Sequence, residues 1–337
     1  MIQNQLNRYG AISRNIPELA PSAKVFLVGD SDDTTYGVVN LAAEFPPDGD
    51  GTVRVYTTIQ AAVNAASANR GDVVLVAPNH VENFTRADSW STAGVQVIGM
   101  GYGEQRSGLT YNAAGATVHL RGNGMRVSNL MFLANTDSAT AGLAAINMDT
   151  GFFGQQVDNC IFTVDDSLAD FRTYIRLGSK ESVVQDNRLI AANEVGAARG
   201  IQLAGGDPSN SIIRRNYIYG NFDSNGGGAS DSSADGCIAL DTTNTGTDSL
   251  SGIVIEDNKL INIDTEGRLI NLGSGVVIRG LATRNVLAAP LDTSSSDTLN
   301  TVFSGLTAID NHIVSGDSDI REGVVGTWHT IRLFDSG

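Results

Sequence analysis

The apolar and polar positions of this chain alternate in short stretches that recur around an asparagine. Four stretches have the same shape: "QVDNCIFTV" (156–164), "VVQDNRLIA" (183–191), "SIIRRNYIYG" (211–220) and "GIVIEDNKLI" (252–261). Alternation with a period of two is typical of a strand that turns one face to the core and the other to solvent. The four stretches therefore predict strands.

The asparagine recurs at a nearly constant interval. Consecutive members of the series are 30, 28, 29, 42, 27 and 26 residues apart; the series is Asn129, Asn159, Asn187, Asn216, Asn258, Asn285 and Asn311. The long interval contains a Gly/Ser/Asp-rich insertion, "DSNGGGASDSSADG" (223–236). A repeat of roughly 28 residues predicts a solenoid, in which each turn of chain pairs with the next.

A second recurring strand has the form I-x-[LM] and follows the asparagine within the repeat. It reads "AAINMDT" (144–150), "TYIRLGS" (173–179), "GIQLAGG" (200–206), "GCIALDT" (236–242) and "RLINLGS" (268–274), and "HTIRLFDSG" (329–337) fits the same form. Earlier strands are predicted at "GDVVLVAP" (71–78), "GVQVIGMG" (94–101) and "ATVHLRG" (116–122). No helix-length periodic segment separates the recurring strands, which excludes a βα repeat.

One helix is predicted, at "YTTIQAAVNAASANR" (56–70). Its apolar face has the helical spacing i, i+3, i+4, i+7 and consists of Ile59, Ala62, Val63 and Ala66. Thr57 or Thr58 is suited to cap the first turn. Because the first turn of a solenoid exposes apolar surface and unpaired backbone groups, we expect this helix to cover it.

Residues 1–55 are predicted to form an N-terminal arm, and residues 56–337 the solenoid domain. Residues 1–50 match neither repeated pattern, although "KVFLVGD" (24–30) predicts a strand. We interpret this strand as part of an arm, or of a small extra element, outside the coil.

Charge and cysteine content narrow the classes of function. The chain has 337 residues and a formal net charge of -15, which disfavours binding to nucleic acid or to an anionic membrane. No run of about 18 apolar residues predicts a membrane span, and "MIQNQLNRYG" (1–10) lacks the apolar core of a secretory signal. Cys160 and Cys237 lie in apolar strand-like stretches, so we expect two buried thiols rather than a disulfide or a metal site.

The segment "TTIQAAVNAASANRGDVVLVAPNHVENF" (57–84) resembles the start of right-handed parallel β-helix proteins of the pectin-lyase-like superfamily. There a "TIQ-A-A" helix caps the coil, and a "GD-V-V" strand and a Pro-Gly turn follow; here the turn is Pro78-Asn79. Similar repeats lie at 126–134, 156–164, 183–191, 212–220, 253–261 and 308–315.

This resemblance covers residues 57–337. It implies an all-β fold, a right-handed single-stranded parallel β-helix with an N-terminal capping helix and an extended N-terminal arm. It implies no activity, because the fold hosts lyases, hydrolases, adhesins and structural proteins alike.

A narrower resemblance concerns residues 8–46, "RYGAISRNIPELAPSAKVFLVGDSDDTTYGVVNLAAEFP". Followed by a β-helix, this segment is similar to proteins of tailed bacteriophages that are encoded among the head-assembly genes. The similarity implies a virion component of the capsid decoration, or cement, type.

No catalytic residue or cofactor-binding residue is predicted. Polygalacturonase-like enzymes use aspartates from "NTD" and "DD" segments together with "GHG" and "R-x-K" motifs. This chain has "NTD" (135–137) and "DD" (165–166), which are about one turn of the coil apart and would therefore lie one above the other. It lacks the other two motifs. Short Asn/Asp runs are typical of turns, and we favour that interpretation over catalysis by Asp137 and Asp165.

Metal ligands are not predicted either. Calcium needs six or more converging oxygens. The segment "DSDD" (30–33) lies in the arm, and "DGDG" (48–51) lacks the spacing and the closing glutamate of an EF-hand loop. The histidines are spread over distant turns without a zinc-binding pair; they are His80, His119, His312 and His329.

Two surface features leave alternatives open. Tyr217 and Tyr219 alternate on one strand, where a ring is suited either to stack on a sugar or to pack against a neighbouring subunit. Six arginines of the middle turns form either a positive stripe for a partner or, as we favour, dispersed solubilising charge: Arg172, Arg176, Arg188, Arg199, Arg214 and Arg215.

The phage resemblance and the missing enzyme motifs favour a structural, non-enzymatic virion protein. We expect a homotrimer of side-by-side β-helices that is made in the host cytoplasm and is held on the capsid surface by the arm, which binds the major capsid protein. The alternatives are a tailspike-like polysaccharide lyase or hydrolase, and an adhesin that binds host-surface glycans. Neither nucleic acid nor a membrane is an expected partner.

The asparagine series is predicted to be structural. A catalytic residue is needed once, whereas this residue recurs seven times. Asparagine tolerates the left-handed turn conformation, and stacked amides hydrogen-bond from one turn to the next. We therefore expect Asn187 and its counterparts to mark one register, at a corner of the coil.

Overall fold

The computed structural model shows a chain built from short parallel strands. It describes residues 22–31, 37–45, 47, 51–136, 144–164, 169–191, 197–203, 206–222, 235–240, 250–263, 268–272, 278–288 and 306–314. Helical structure in these ranges consists of α1 (Val38–Glu44), α2 (Ile59–Ala65) and a 3-10 turn at Gly103–Gln105. Across the same ranges, no helix has the length and apolarity needed to cross a bilayer.

The strands are two to seven residues long. The earlier ones are β1 (Val25–Val28), β2 (Val55–Tyr56), β3 (Val73–Val76), β4 (Val81–Phe84), β5 (Ala87–Trp90), β6 (Gln96–Gly99), β7 (Gly108–Tyr111), β8 (Thr117–Leu120), β9 (Arg126–Ser128), β10 (Met131–Ala134), β11 (Ala144–Met148), β12 (Gln156–Asp158) and β13 (Ile161–Val164). The later ones are β14 (Thr173–Leu177), β15 (Val183–Gln185), β16 (Arg188–Ile190), β17 (Arg199–Leu203), β18 (Ile212–Arg214), β19 (Tyr217–Gly220), β20 (Gly236–Leu240), β21 (Leu250–Glu256), β22 (Lys259–Asn262), β23 (Ile270–Asn271), β24 (Ile278–Thr283), β25 (Val286–Ala288), β26 (Leu306–Ile309) and β27 (His312–Val314).

Three parallel sheets share these strands. Sheet A has the order β2-β1-β3-β6-β9-β12-β15-β18-β21-β24-β26, sheet B the order β4-β7-β10-β13-β16-β19-β22-β25-β27, and sheet C the order β5-β8-β11-β14-β17-β20-β23. The chain passes from sheet A to B to C and back to A, so each strand pairs with the strand one turn later. The predicted fold class, an all-β right-handed parallel β-helix, is confirmed.

Inward side chains stack in rows along the interior of the coil. In sheet A one buried row consists of Val97, Val127, Val157, Val184, Ile213, Ile255 and Ala282, each in register with the next. In sheet C the I-x-[LM] strands turn both apolar residues inward, as Ile146 and Met148 do. Burying one such side chain contributes about 1.5–3 kcal/mol, so stability grows turn by turn.

Helix α2 is the predicted capping helix. Ile59, Ala62 and Val63 are buried against the first strands. The Thr58 hydroxyl oxygen accepts a hydrogen bond from the Ala61 N–H at 3.3 Å, as an N-cap residue does. The apolar spacing in the sequence therefore identified both the helix and its buried face.

The strand within residues 24–30 belongs to the coil, and the interpretation that it lies outside was wrong. Val25–Val28 pairs in parallel, residue by residue, with Val73–Val76 of sheet A. Phe26 packs in the interior of the coil, while Leu27 is buried on the opposite face. Apolar residues on both faces are characteristic of a strand that is covered on both sides. The division of the chain at residue 55 stays a prediction.

Helix α1, which the sequence did not indicate, covers the outer face of sheet A at its first strands. Leu41 is 1% exposed and packs in a second apolar cluster with Leu27, Leu75 and Ile98. The helix has only seven residues, too few to show a helical period. It closes the outer side of the turn that α2 caps from the end.

The recurring asparagines occupy two adjacent positions at the corner between sheets A and B, rather than one. Asn129 and Asn159 have left-handed backbone, with φ of 58° and 52°. In the next turn the left-handed residue is Asp186, with φ of 56°, and the asparagine, Asn187, comes one residue later. The strand register aligns Asn187 with Cys160 and not with Asn159.

Five asparagines form a ladder of buried amides at the second position. The members are Asn187, Asn216, Asn258, Asn285 and Asn311. Nδ2 of each of the first four donates to Oδ1 of the next member at 2.9–3.0 Å, and the same oxygen accepts the backbone N–H of the donating residue at 3.0–3.1 Å. The ladder ends at Cys160, whose N–H donates to Asn187 Oδ1 at 3.0 Å. The predicted structural role is confirmed, whereas the single register was wrong.

Candidate functional site

The outer face of sheet B carries an apolar stripe along six of its strands. The members are half-buried side chains that point away from the core: Met131, Leu133, Ile161, Ile190, Tyr219, Ile261, Val286 and Ala288. Their inward neighbours, such as Phe132 and Leu189, are fully buried. Val81, near the start of the same face, is 45% exposed. The stripe is interrupted, because Thr163 lies in one of its two rows and Arg188 and Lys259 lie in the other. Apolar surface of this kind is a candidate interaction surface.

Tyr217 lies between two cations in the middle of sheet B. The guanidinium carbon of Arg188 is 5.7 Å from the ring centroid, and Nζ of Lys259 is 5.5 Å from it. These residues belong to the strands on either side of β19, so the cations cover both faces of the ring. Tyr219 lies parallel to Tyr217, with centroids 6.3 Å apart. Of the two roles considered for Tyr217, packing fits this geometry better, because stacking on a sugar needs an open ring face.

The six arginines of the middle turns lie on different faces instead of one stripe. Arg188 is on sheet B, while Arg214 and Arg215 lie at the corner between sheets A and B. There Arg215 Nε is 2.7 Å from Asp186 Oδ1, and Arg214 Nη1 is 3.9 Å from Glu256 Oε1. The remaining three belong to sheet C or to the segment just before β14: Arg172, Arg176 and Arg199. This distribution agrees with dispersed charge.

Charge alternates in sign along the left-handed residues of the same corner, hereafter the charge column. The column consists of Asp186, Arg215, Asp257, Arg284 and Asp310, with φ between 51° and 56°. Arg215 donates twice to Asp186 at 2.7 Å, and Arg284 donates to Asp257 at 2.7 and 2.8 Å. The hydrogen bonds from Arg284 hold the pKa of Asp257 below its ordinary value. Because its charges neutralise one another, the column is a weak binding surface for a charged partner.

The segments considered for acid catalysis are described only in part. Asn135 and Thr136 follow β10, where Asn135 Nδ2 donates to Asn112 Oδ1 at 2.7 Å. Asp137 and the pair at 165–166 lie outside the described residues. The interpretation of these segments as turns therefore stays a prediction.

The segments considered for calcium binding are also described only in part. Of residues 30–33 the structure describes Asp30 and Ser31, and of residues 48–51 it describes Gly51. Within the described part of the chain, no group of three or more His, Cys, Asp or Glu side chains is placed to hold a metal ion.

His80 is buried under helix α2. Its Nε2 is 3.1 Å from Oε1 of Glu82, which also accepts the backbone N–H of Ile59 at the start of the helix. Glu82 thus satisfies a helix N-terminal donor that would otherwise be unpaired, and the pair has a structural role. His312 lies in β27, and His329 lies outside the described residues.

His119 belongs to a half-buried polar group on the outer face of sheet C, hereafter the His119 cluster, with Ser89, Arg121 and Asp149. Nδ1 of His119 is 2.9 and 3.1 Å from the carboxylate oxygens of Asp149. Arg121 donates through Nε to Asp149 at 2.7 Å and through Nη1 to Ser89 Oγ at 3.1 Å. Burial acts to raise the pKa of Asp149, but the hydrogen bonds from His119 and Arg121 outweigh it and hold that pKa below its ordinary value.

The sequence contained a signal for this cluster that the search for short motifs missed. Strands β8 and β11 pair in register, with Asn147 beside His119. Two residues further along each strand, Asp149 comes beside Arg121. Aligning "ATVHLRG" with "AAINMDT" turn on turn therefore brings together residues that are 30 positions apart.

Cys160 and Cys237 are buried free thiols, as predicted. Burial raises the pKa of Cys160 to about 12 and also raises the pKa of Cys237. Since the thiolate is the reactive form, neither cysteine is a candidate nucleophile.

Comparison with known proteins supports the fold. No family model and no curated protein matches the sequence. Among solved structures, pectate lyase Pel9A is similar, with 13% identity and a TM-score of 0.51 over 94% of this chain and 76% of that one. A pectin methylesterase from Aspergillus niger (14% identity, TM-score 0.48) covers 93% of each chain. The tailspike protein of E. coli bacteriophage HK620 (16% identity, TM-score 0.46) covers 80% of this chain and 49% of that one.

At such low identity, the likeness to the pectate lyase shows a parallel β-helix of the pectin-lyase type and does not extend to activity.

Proposed function

We propose that this chain is a structural protein of a tailed bacteriophage virion, a capsid decoration protein that forms a trimer and has no enzymatic role. The observation that carries the proposal is the apolar stripe on the outer face of sheet B. The backbone of each of the six strands that carry the stripe is paired on both sides, so the stripe is rigid before assembly. A rigid apolar face suits side-by-side packing of subunits, and closed symmetry is usual in homo-oligomers.

The resemblance of residues 8–46 to head-associated phage proteins supports attachment to a capsid. Within that range β1 and α1 pack on the coil itself. We therefore assign the contact with the major capsid protein to residues 1–21, which lie outside the described residues.

Oligomeric state tests the role of the stripe. We expect the full chain to sediment at three times the mass of a single chain. Ile190→Glu combined with Ile261→Glu places two charges in the stripe and is expected to give a folded monomer. Thr307→Glu, at an exposed position of sheet A, is expected to leave the trimer intact. A monomeric wild-type protein, or a trimer that survives the double substitution, would contradict the proposal.

Capsid attachment is tested by deleting residues 1–21, which keeps β1 and thus the first turn. The truncated chain is expected to remain trimeric but to be lost from particles to which the full chain binds. Circular dichroism of the truncated chain controls for folding. Attachment of the truncated chain at the level of the full chain would contradict the assignment of the capsid contact to residues 1–21.

A protein that binds or cleaves host polysaccharide is the second candidate. One observation favours it, the half-buried polar groups of the His119 cluster on the outer face of sheet C. Cleavage by Asp137 and Asp165, which we interpret as turn residues, would release oligosaccharides from host capsule, and the release would be lost in Asp137→Ala or Asp165→Ala. A trimeric protein that binds particles and releases no sugar would support the structural role instead.

A further inference from the structure

The outer face of sheet B carries positive charge although the whole chain has a formal net charge of -15. Arg188 and Lys259 interrupt the apolar stripe and are exposed on either side of Tyr217. Among the described residues, no outward side chain of this face is a carboxylate, and neither cation has a carboxylate within ion-pair distance. A partner that covers this face therefore gains from carrying carboxylates of its own.

The two cations have a fixed separation. They lie on β16 and β22, with β19 between them, so their backbones are two strand spacings, about 10 Å, apart. The Tyr217 ring lies between the two charged groups, 5.7 Å from the guanidinium carbon of Arg188 and 5.5 Å from Nζ of Lys259. A complementary surface presents two carboxylates about as far apart.

The charge column presents two carboxylates with this separation. Asp186 and Asp257 lie two turns apart at the corner between sheets A and B, and they are 40% and 38% exposed. Each precedes one of the sheet B cations by two residues, so Asp186 shares a turn with Arg188, and Asp257 shares a turn with Lys259. Within one chain, however, both carboxylates bind arginines of the column instead.

The column and the adjacent row of sheet B change character at the same turn. In the two turns before Asp186 the corner carries the neutral Asn129 and Asn159, and the row carries the apolar Met131 and Ile161. From Asp186 onward, charge appears in both. A column that neutralises itself attracts no partner of a single sign, but it matches a row whose opposite charges lie on the same turns.

The turn between the two carboxylates also offers a matching donor and acceptor. Arg215 shares this turn with Tyr217, and its Nε and Nη2 bind side chains of the preceding turn. Within the described part of the chain, Nη1 of Arg215 has no acceptor and the Tyr217 hydroxyl has no hydrogen-bond partner. A phenol oxygen accepts from a guanidinium. On the turn after Asp257, Arg284 is level with the apolar Val286, so the match covers three turns.

We propose that the charge column of one subunit packs on the outer face of sheet B of the next, an inference that rests on the proposed trimer. A threefold axis parallel to the coil keeps equivalent turns at equal height, so residues that share a turn in one chain meet across the interface. The contacts are Asp186 of the partner subunit with Arg188, Asp257 of the partner subunit with Lys259, and Arg215 of the partner subunit with the Tyr217 hydroxyl.

Carbodiimide cross-linking of the full-length protein tests the contact, because this reagent joins an amine to a carboxylate without a spacer. The chain has three lysines, Lys24, Lys180 and Lys259. We expect covalent dimers and trimers on a denaturing gel, and in them a peptide in which Lys259 is joined to Asp257. These species should be lost in Lys259→Gln. They should be retained in Lys180→Gln, the matched control, since Lys180 is exposed at the corner between sheets C and A.

An exchange of charges separates this contact from other ways of forming a trimer. Lys259→Asp and Asp257→Lys are each expected to raise the dissociation constant of the trimer roughly tenfold, because like charges then meet at every interface. The double variant restores opposite charges and should return to within roughly threefold of the wild type, whereas Lys180→Asp should leave the constant unchanged. Sedimentation equilibrium measures the constants, and circular dichroism establishes folding of every variant.

The outcomes distinguish the contact from the trimer itself. A wild-type trimer without the cross-link between Lys259 and Asp257 overturns the contact, and so does a double variant no closer to the wild type than the single ones. Either result leaves the proposed trimer intact. A monomeric wild-type protein overturns both.

Discussion

Nδ2 of Asn187 donates to Oδ1 of Asn216 at 3.0 Å, and the same oxygen accepts the backbone N–H of Asn187 at 3.1 Å. One side-chain oxygen thus satisfies two buried donors that come from the preceding turn. Nδ2 of Asn216 in turn donates to the Val184 carbonyl at 3.0 Å and to Asn258 at 3.0 Å. Because each amide depends on the next, removal of one affects two neighbouring turns.

Asn216→Ala is expected to lower the free energy of unfolding by about 2–4 kcal/mol, because two donors of Asn187 lose their acceptor in the core. Guanidinium denaturation followed by circular dichroism measures the change. Asn135→Ala, at an exposed position, is the control and should change the free energy by less than about 0.5 kcal/mol. Equal effects of the two substitutions would argue against the ladder as a source of stability.

Cys160→Asn is expected to extend the ladder by one turn. The Cys160 sulfur lies 3.9 Å from the Val127 carbonyl, in the same relation that Asn187 Nδ2 has to the Val157 carbonyl. A new amide would find both acceptors in place, so stability should change by less than about 1 kcal/mol.

Cys237→Asn is the matched control for that substitution. Cys237 is fully buried in β20 and outside the ladder, so an amide there buries polar atoms without partners and should cost about 2 kcal/mol or more. Thermal denaturation of both variants gives the comparison. Equal loss in both would show that the corner at Cys160 does not accept an amide.

The buried thiols predict a loss of stability at alkaline pH. The thiol of Cys160 ionises near its ordinary pKa of 9.0 in the unfolded chain but holds its proton to a pKa of about 12 in the folded protein. Between these values the unfolded state binds fewer protons, so the free energy of unfolding falls as pH rises, by roughly 1.4 kcal/mol per pH unit for one thiol. Denaturation between pH 8 and 11 measures the slope, which should be shallower in Cys160→Ala. An identical slope in that variant would assign the loss to other groups.

The buried carboxylate of Asp158 is paired with Arg126, and replacing that arginine is expected to lower the free energy of unfolding strongly. It is 4% exposed and accepts from Arg126 at 2.7 and 2.8 Å, from Ser128 at 2.7 Å and from Gln156 at 2.8 Å. Arg126→Met leaves a buried charge and should cost roughly 2–4 kcal/mol, less than for a fully buried pair because Arg126 is 22% exposed.

Adding Asp158→Asn to Arg126→Met removes that charge and should restore at least half of the loss. Arg86→Met, which breaks a pair at a 78% exposed arginine, should have an effect below about 1 kcal/mol. Urea denaturation of the three variants measures these changes in the free energy of unfolding. A double variant as unstable as the single one would show that the buried charge is not the cause.

The sequence predicts the coil well because the inward rows repeat the same chemistry at each turn. Ile146 and Ile175, one turn apart, are both apolar and both buried, and this recurrence is visible without any structure. The same signal fails for β1, because a strand that comes before the first repeat has no earlier turn to match.

The sequence pattern does not show that the asparagines occupy two adjacent positions at the corner. Asparagine suits both the left-handed position, where Asn159 lies, and the ladder position, where Asn187 lies. Spacing alone does not separate positions one residue apart when turn lengths themselves vary. Because turn lengths vary, the pairing of His119 with Asp149 was not visible in the sequence either; it depends on the strand register and not on a motif.

The charge column restricts how such a chain can lengthen or shorten during evolution. Tandem duplication of a single turn within the column would place two like charges on adjacent strands, about 4.8 Å apart, where they repel. Duplication of two neighbouring turns preserves the alternation. Where the neutral Asn129 and Asn159 take the same position, a single turn can be added without this cost. Descendants of one ancestral coil should therefore differ by even numbers of turns along the charged part and by any number before it.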